Sequence, residues 1–133
     1  MSDQQDNDKA FDFWNDHSLE FLEMAMKRDF QETVSNPDGY GKATRECGDT
    51  IEFFLMADQA KLTAVSYNIK GCIFTHACAN TIIHILEEKG LSQEDQIREA
   101  DILDYLKTLP ARESHCASLA LKAFNQALDS LPN

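Results

Sequence analysis

Basic residues are few in this sequence: 12 lysines and arginines stand against 23 aspartates and glutamates, for a net charge of −11. Contact with a nucleic-acid backbone depends on clustered lysine and arginine, so we expect no nucleic-acid binding. The apolar runs are far shorter than the ~20 residues of a membrane span, and the first residues, MSDQQDNDKA, lack the basic and apolar regions of a signal peptide. These absences predict a cytoplasmic protein without a membrane partner.

Cysteine is also scarce, with four residues at positions 47, 72, 78 and 116. No pair has the C-x-x-C spacing of a zinc knuckle or a thioredoxin-like site. In a reducing compartment we expect all four to be free thiols. A free cysteine commonly packs as a small buried hydrophobic residue, so spacing alone assigns no function to any of them.

The length and the pattern of residues predict one α+β domain. We expect residues 1–10 to form a disordered acidic tail and residues 11–133 to form a single domain with a substantial core. The predicted order is helix, strands, then helices. This order indicates a small antiparallel sheet of about three strands, covered by helices, with a long C-terminal helix.

The individual elements follow from two periodicities. Apolar residues near a 3.6-residue period predict helices, over residues 11–34, 74–89, 100–108 and 114–131. Alternating apolar and polar residues predict strands around 51–55 and 65–69, joined by a hairpin turn at 57–61. Asp16 or Ser18 is positioned to cap the first helix. Proline and glycine break the pattern over residues 35–41.

Three cysteines fall where a predicted element begins. Cys47 lies in the loop that enters the first predicted strand, and Cys72 follows Gly71 at a strand-to-helix junction. Cys116 lies in the first turn of the last helix if Ser114 caps that helix. Exposed loops and helix N-termini favour the thiolate, which is the form that binds metal or attacks sulfur.

Cys78 has a different pattern. It lies on the apolar stripe of its predicted helix with Ile82 and Ile85. We therefore expect Cys78 to pack in the core and not to act as a ligand.

Two non-thiol ligands accompany the first group of cysteines. Asp49 follows Cys47 by two residues, and His115 directly precedes Cys116. Three thiolates with one carboxylate or imidazole would complete a four-ligand site for zinc or an iron–sulfur cluster. Taken singly, Asp49 is as well explained as a turn residue and His115 as a surface residue.

Three motifs occur in order along the chain: CGD at 47–49, GC at 71–72 and HC at 115–116. Together they resemble the IscU/NifU-type iron–sulfur cluster assembly scaffolds, the family of the N-terminal NifU-like domain, over roughly residues 16–131. The intervals of 25 and 44 residues between the cysteines suit the IscU branch. The zinc-dependent SufU branch carries an insertion between its second and third cysteines and lacks the histidine.

The resemblance implies a scaffold and not a conventional enzyme. Sulfur transfer is the one enzymatic activity that the resemblance does not exclude. Cys47, Cys72 and Cys116 would hold a labile [2Fe–2S] cluster, and the fourth ligand would be Asp49 or His115. The cluster-free form would be expected to bind zinc at the same residues. In this family the aspartate matters for the lability of the cluster.

The implied partners are a pyridoxal-phosphate cysteine desulfurase and apo iron–sulfur proteins that accept the cluster. The desulfurase would supply persulfide sulfur, with Cys116 as the first choice of acceptor and Cys47 as its rival. We expect a monomer or a weak homodimer.

The sequence departs from the IscU pattern before the last cysteine. The LPPVK motif that an Hsp70-type chaperone reads is replaced by LPARE, so that Glu113 takes the place of the lysine. This change argues against that chaperone as a partner, and the PAR segment is closer to the SufU branch. The N-terminal NPRN-type motif is also absent.

Three other functions use the same residues. The first is a zinc-dependent sulfur acceptor that never builds a cluster. The second is a cysteine hydrolase or transferase with Cys72 as nucleophile and His76 or His115 as base. The third is a purely structural zinc site.

Overall fold

The computed structural model describes residues 17–46, 48–59, 61–89 and 97–132. In these ranges the elements, in chain order, are α1 (Leu19–Met26), β1 (Gly39–Thr44), β2 (Thr50–Asp58), β3 (Lys61–Lys70), α2 (Ile73–Glu88), α3 (Glu99–Leu106), a 3₁₀ turn (Ala111–Glu113) and α4 (His115–Asp129). The predicted α+β class, with its small antiparallel sheet and long C-terminal helix, is confirmed. The predicted acidic tail at 1–10 lies outside the described residues.

The sheet has the order β1-β2-β3, and both pairs of strands are antiparallel. Ile51, Phe53 and Leu55 of β2 are completely buried on the face that the helices cover. Phe53 meets Phe124 of α4 edge-on, with 5.4 Å between the ring centroids. The core therefore lies between this face of the sheet and the helices.

The first strand runs through a segment that the glycines marked as a break. Gly39 and Gly41 lie in β1, directly against α4. A Cβ atom on Gly41 would lie 2.0 Å from the carbonyl oxygen of Ala123 and 2.6 Å from the amide nitrogen of Ala127. Glycine is present here because the strand and helix backbones approach each other closely, not because the chain turns.

The first helix is shorter than the predicted span 11–34. Ser18 caps it and accepts a hydrogen bond from the Phe21 amide at 3.0 Å, so that the second of the two predicted caps is confirmed. The helix ends at Met26, and the chain then pairs with β3. The Tyr67 amide donates to the Phe30 carbonyl at 3.0 Å, and the Glu32 amide donates to the Tyr67 carbonyl at 2.9 Å. Pairing with a distant strand has replaced the local helical bonds, and residues 11–16 lie outside the described residues.

The other helices agree with prediction to within two residues at each end. The α3 helix stops where Lys107 adopts a positive φ of 64°. In the described part of the chain no helix is long and apolar enough to cross a membrane.

Candidate functional site

Two thiols meet where the N-terminal ends of α2 and α4 converge. Cys72 is the N-cap residue of α2, and Cys116 lies in the first turn of α4, whose N-cap is Ser114. The two Sγ atoms and a carboxylate oxygen of Glu113 all lie within 4.8 Å of one another. The cluster therefore unites residues that are 44 positions apart in the sequence.

Thr75, in the first turn of α2, lies between the two thiols. Its hydroxyl donates to the Cys116 Sγ at 3.6 Å, and its Oγ1 lies 3.8 Å from the Cys72 Sγ. A hydroxyl in this position fixes the orientation of both sulfur atoms.

The two thiols differ in access to solvent. Cys72 is exposed, as the sequence predicts for a junction residue, whereas Cys116 is completely buried. Burial raises the pKa of the Cys116 thiol to about 12, and the neighbouring Cys72 and Glu113 raise it further, against the opposing hydrogen bond from Thr75. The prediction of an exposed position is therefore wrong for Cys116, and its burial disfavours the thiolate.

Glu113 was not among the predicted ligands. It ends the 3₁₀ turn one helical turn before Cys116, and the Cys116 thiol donates to its Oε1 at 3.8 Å. Its carboxylate also lies 3.6 Å from the His115 Nε2 and 3.8 Å from the Arg112 Nε. The sequence signal was the i, i+3 spacing from Cys116, which places both side chains on one side of the chain.

The two predicted fourth ligands both contact Arg45. The Arg45 Nη1 lies 2.6 Å from the His115 Nε2 and 3.7 Å from the Asp49 Oδ2. Asp49 lies beside Gly71, because a Cβ on that glycine would be 3.3 Å from the Asp49 Cγ. His115 is thus hydrogen-bonded to a guanidinium group, and Asp49 makes a longer ionic contact with the same group.

Cys47 lies outside the described residues and stays a predicted ligand. The described residues on either side of it are hydrogen-bonded to one another. The Gly48 amide donates to the Arg45 carbonyl at 2.9 Å, and the Arg45 amide donates to the Asp49 carbonyl at 2.8 Å. Gly48 has a φ of 101°, a conformation that side chains disfavour, which explains the glycine in the CGD motif.

Cys78 is completely buried in the core, which confirms its predicted packing role. Burial raises the pKa of its thiol well above the ordinary value, with smaller contributions from Cys116 and Cys72. The Cys78 thiol therefore packs as a small hydrophobic side chain.

The histidine partners that a cysteine hydrolase needs are not in place. His76 packs edge-on against Tyr67, and burial lowers its pKa to about 4. Among the described residues, the Cys72 thiol contacts the Thr75 hydroxyl, whereas His76 packs against Tyr67 and His115 is hydrogen-bonded to Arg45. The arrangement therefore gives no support to a base-assisted nucleophile at Cys72.

The sequence model of the NifU-like N-terminal domain matches residues 28–133. The chain belongs to this family. No curated protein sequence matches the chain significantly.

Two solved structures have the same fold as this NifU-like domain. One is a putative iron–sulfur cluster assembly scaffold protein for the SUF system from Fervidobacterium islandicum AW-1, with a TM-score of 0.62 and 18% identity over 84% of this chain and 95% of that one. The other is the N-terminal part of a nitrogen-fixing NifU-like protein from Brucella abortus, with a TM-score of 0.58 and 16% identity over 86% and 92%. At these identities the likeness concerns the fold.

Proposed function

We propose that this NifU-like domain is an iron–sulfur cluster assembly scaffold. The observation that carries the proposal is the convergence of the Cys72 and Cys116 thiols at two helix N-termini. Family membership supports it, as does the fold shared with the Fervidobacterium protein, which is named as an iron–sulfur cluster assembly scaffold. The role is one of holding and transferring cargo and not of turning over a substrate.

Iron and sulfide are the cargo in this proposal, held by Cys72, Cys116 and the predicted ligand Cys47. Thiolates are the usual ligands of a [2Fe–2S] cluster, and one oxygen or nitrogen ligand would hold it less firmly. The exposed Cys72 gives the cluster a solvent-facing edge, from which an apo-protein can take it.

The sulfur would come from the persulfide of a cysteine desulfurase. A scaffold thiolate attacks the outer sulfur, the S–S bond of the donor breaks, and the donor leaves as a thiolate. Two equivalents of a reducing thiol, such as the cysteine of the reconstitution below, would then release this sulfur as sulfide, restore the scaffold thiol and leave as a disulfide. Cys116 remains the first proposed acceptor, with Cys47 as its rival. Because Cys116 is buried, the incoming persulfide would approach past the exposed Cys72.

Anaerobic reconstitution tests the proposal. The chain is incubated with ferrous iron, cysteine and a cysteine desulfurase, and visible absorption is recorded for wild type, Cys72→Ser and Cys78→Ala. We expect a sulfide-to-iron charge-transfer band in wild type and Cys78→Ala, and its loss in Cys72→Ser. A band of equal intensity and lifetime in Cys72→Ser would contradict the proposal.

A zinc-dependent sulfur acceptor is the second candidate. Two thiols and a carboxylate within 4.8 Å form a ligand set that suits zinc. This function predicts tightly held zinc and a persulfide on the protein by mass spectrometry, without an iron-dependent band in the same reconstitution.

A further inference from the structure

We propose that Glu113 is the oxygen ligand of the divalent cation that the cluster-free chain binds with Cys72 and Cys116. The inference deepens the proposed function and rests on it for the identity of the ion, iron or zinc. It gives a role to the residue that replaces the lysine of the LPPVK motif. The two ligands expected from the family contact Arg45 instead: His115 is hydrogen-bonded to it, and Asp49 makes a longer ionic contact with it.

The distances in the cluster fit a cation with little movement. Tetrahedral coordination with bonds of about 2.3 Å to sulfur and about 2.0 Å to oxygen places sulfur and oxygen about 3.5 Å apart. The Cys116 Sγ and the Glu113 Oε1 are 3.8 Å apart. All three ligand atoms lie within 4.8 Å of one another, so that small side-chain rotations would complete the geometry.

The backbone holds Glu113 in this position. Its amide donates to the Pro110 carbonyl at 2.8 Å, and the Ser114 amide donates to the Ala111 carbonyl at 3.1 Å. The short turn that these bonds close leads directly into α4, on which Cys116 is buried. The carboxylate is therefore presented to the thiols by a fixed segment of chain.

Among the described residues, the Glu113 carboxylate receives no hydrogen bond from a cationic group. Its contacts with the Arg112 Nε at 3.8 Å and the His115 Nε2 at 3.6 Å are longer than hydrogen bonds. Its side chain is 21% exposed, so that hydrated ions can reach it. A carboxylate beside two sulfur atoms and without a short hydrogen bond is a ready ligand.

Arg45 is paired with both alternative ligands, by a hydrogen bond to His115 and by a longer ionic contact with Asp49. A guanidinium group has donors and no acceptor, so the His115 Nε2, at 2.6 Å from the Arg45 Nη1, must accept the hydrogen bond. That lone pair is the one a metal would need. The same Nη1 lies 3.7 Å from the Asp49 Oδ2, where its charge offsets that of the carboxylate.

Cobalt(II) binding to the full-length, metal-free chain tests the proposal without any cluster chemistry. Thiolate-to-cobalt absorption counts sulfur ligands, visible bands report tetrahedral geometry, and competition with a chelator gives the affinity. We expect Glu113→Gln to weaken cobalt binding at least about tenfold. Removing a residue that only supports a metal ligand already weakens binding by about this factor, and removing the ligand itself should weaken it at least as much. We expect Asp49→Asn and His115→Gln to change it less than about threefold, because neither side chain belongs to the cluster of ligand atoms formed by Cys72, Glu113 and Cys116.

A gain-of-function variant keeps the test independent of any folding defect. Glu113→Cys is expected to add the absorption of one thiolate, with the loss in Cys72→Ser as the calibration and Cys78→Ala as the unchanged control. The proposal is overturned if Glu113→Cys adds no sulfur absorption. It is also overturned if Asp49→Asn or His115→Gln weakens binding as much as Glu113→Gln does.

The cobalt experiment separates this inference from the proposed function. If wild type builds a cluster while Glu113→Gln binds cobalt normally, the scaffold stands and the inference fails. If cobalt binding depends on Glu113 and no iron-dependent band forms, the ligand assignment stands and the scaffold fails.

Discussion

Arg45 donates a hydrogen bond to His115 across 70 residues of sequence, with 2.6 Å between Nη1 and Nε2. The same guanidinium group lies 3.7 Å from the Asp49 carboxylate. A single cation of the protein thus engages the two side chains that the family resemblance offers as fourth ligands. Removing that cation should change which ligands the metal uses.

The first prediction is that Arg45→Met restores metal binding to the Glu113→Gln variant. The substitution frees the His115 Nε2 from its hydrogen bond and removes the ionic contact of Asp49, so that either side chain can replace the lost ligand. In the double variant, cobalt affinity measured by chelator competition should return to within about threefold of wild type, since one ligand has replaced another.

Arg98→Met is the matched control, because Arg98 pairs with Asp101 on the exposed start of α3. It should leave the weakened affinity of Glu113→Gln unchanged. A double variant with Arg45→Met that binds no more tightly than Glu113→Gln alone would contradict the role given to Arg45.

The second prediction concerns the lifetime of the cluster. Asp49→Ala should slow the loss of visible absorption from the reconstituted chain, because the family resemblance implies that this aspartate makes the cluster labile. Asp58→Ala, on the exposed end of β2, serves as the control and should decay at the wild-type rate. Equal or faster decay in Asp49→Ala would show that this carboxylate does not set the lability.

The third prediction tests the contact that positions α4. Gly41→Ala places a Cβ atom 2.0 Å from the Ala123 carbonyl oxygen, where only a backbone shift can make room. We expect a loss of about 1–3 kcal/mol in the free energy of unfolding, measured by denaturant titration. Thr63→Ala, on an exposed position of β3, should change it by less than about 1 kcal/mol. Wild-type stability in Gly41→Ala would contradict the close approach of β1 and α4.

The fourth prediction is a loss of stability in mild acid that depends on His76. Burial lowers its pKa from the ordinary 6.5 to about 4. Between these two values the unfolded chain binds a proton that the folded chain does not, so stability is full above pH 6.5 and falls as the pH drops toward 4. The loss should be on the order of 2 kcal/mol at the lower end of this window.

Unfolding measured from pH 7.5 to 4.5 checks this dependence. His76→Phe should flatten the curve in this window, whereas His84→Gln, which replaces a partly exposed histidine, should keep it. A curve in His76→Phe as steep as that of wild type would contradict the assignment to His76.

Local periodicity was sufficient for much of the fold. The periodicity of apolar residues predicts the helices α2 and α4 and the β2–β3 hairpin, because each of these elements has an apolar face that must be buried. The first helix is shorter than predicted. Beyond Met26 the backbone forms hydrogen bonds with Tyr67 instead of continuing the helix. That pairing joins residues more than 30 positions apart, which no local pattern contains.

The site was predictable only in part, for a related reason. The sequence motifs singled out Cys72 and Cys116, and the fold brings their sulfurs together. The burial of Cys116 depends on how α2 and α4 pack, and the contact between Arg45 and His115 depends on the sheet and helix together. The i, i+3 spacing of Glu113 and Cys116 is visible in the sequence. The comparison with the LPPVK motif, however, shows only that a lysine is replaced and does not show that the new carboxylate lies beside the thiols.

The thiols of Cys72 and Cys116 are carried by two different helices that pack against each other. Any cargo bound to both sulfurs therefore acts as a cross-link, which closes a chain loop spanning 44 positions. Closing such a loop restricts the unfolded chain more than the folded one, so that loading stabilises the fold and unloading loosens it. A protein that takes the cargo thus also removes a cross-link between two helices. The chain without cargo should then unfold more easily than the chain with cargo bound.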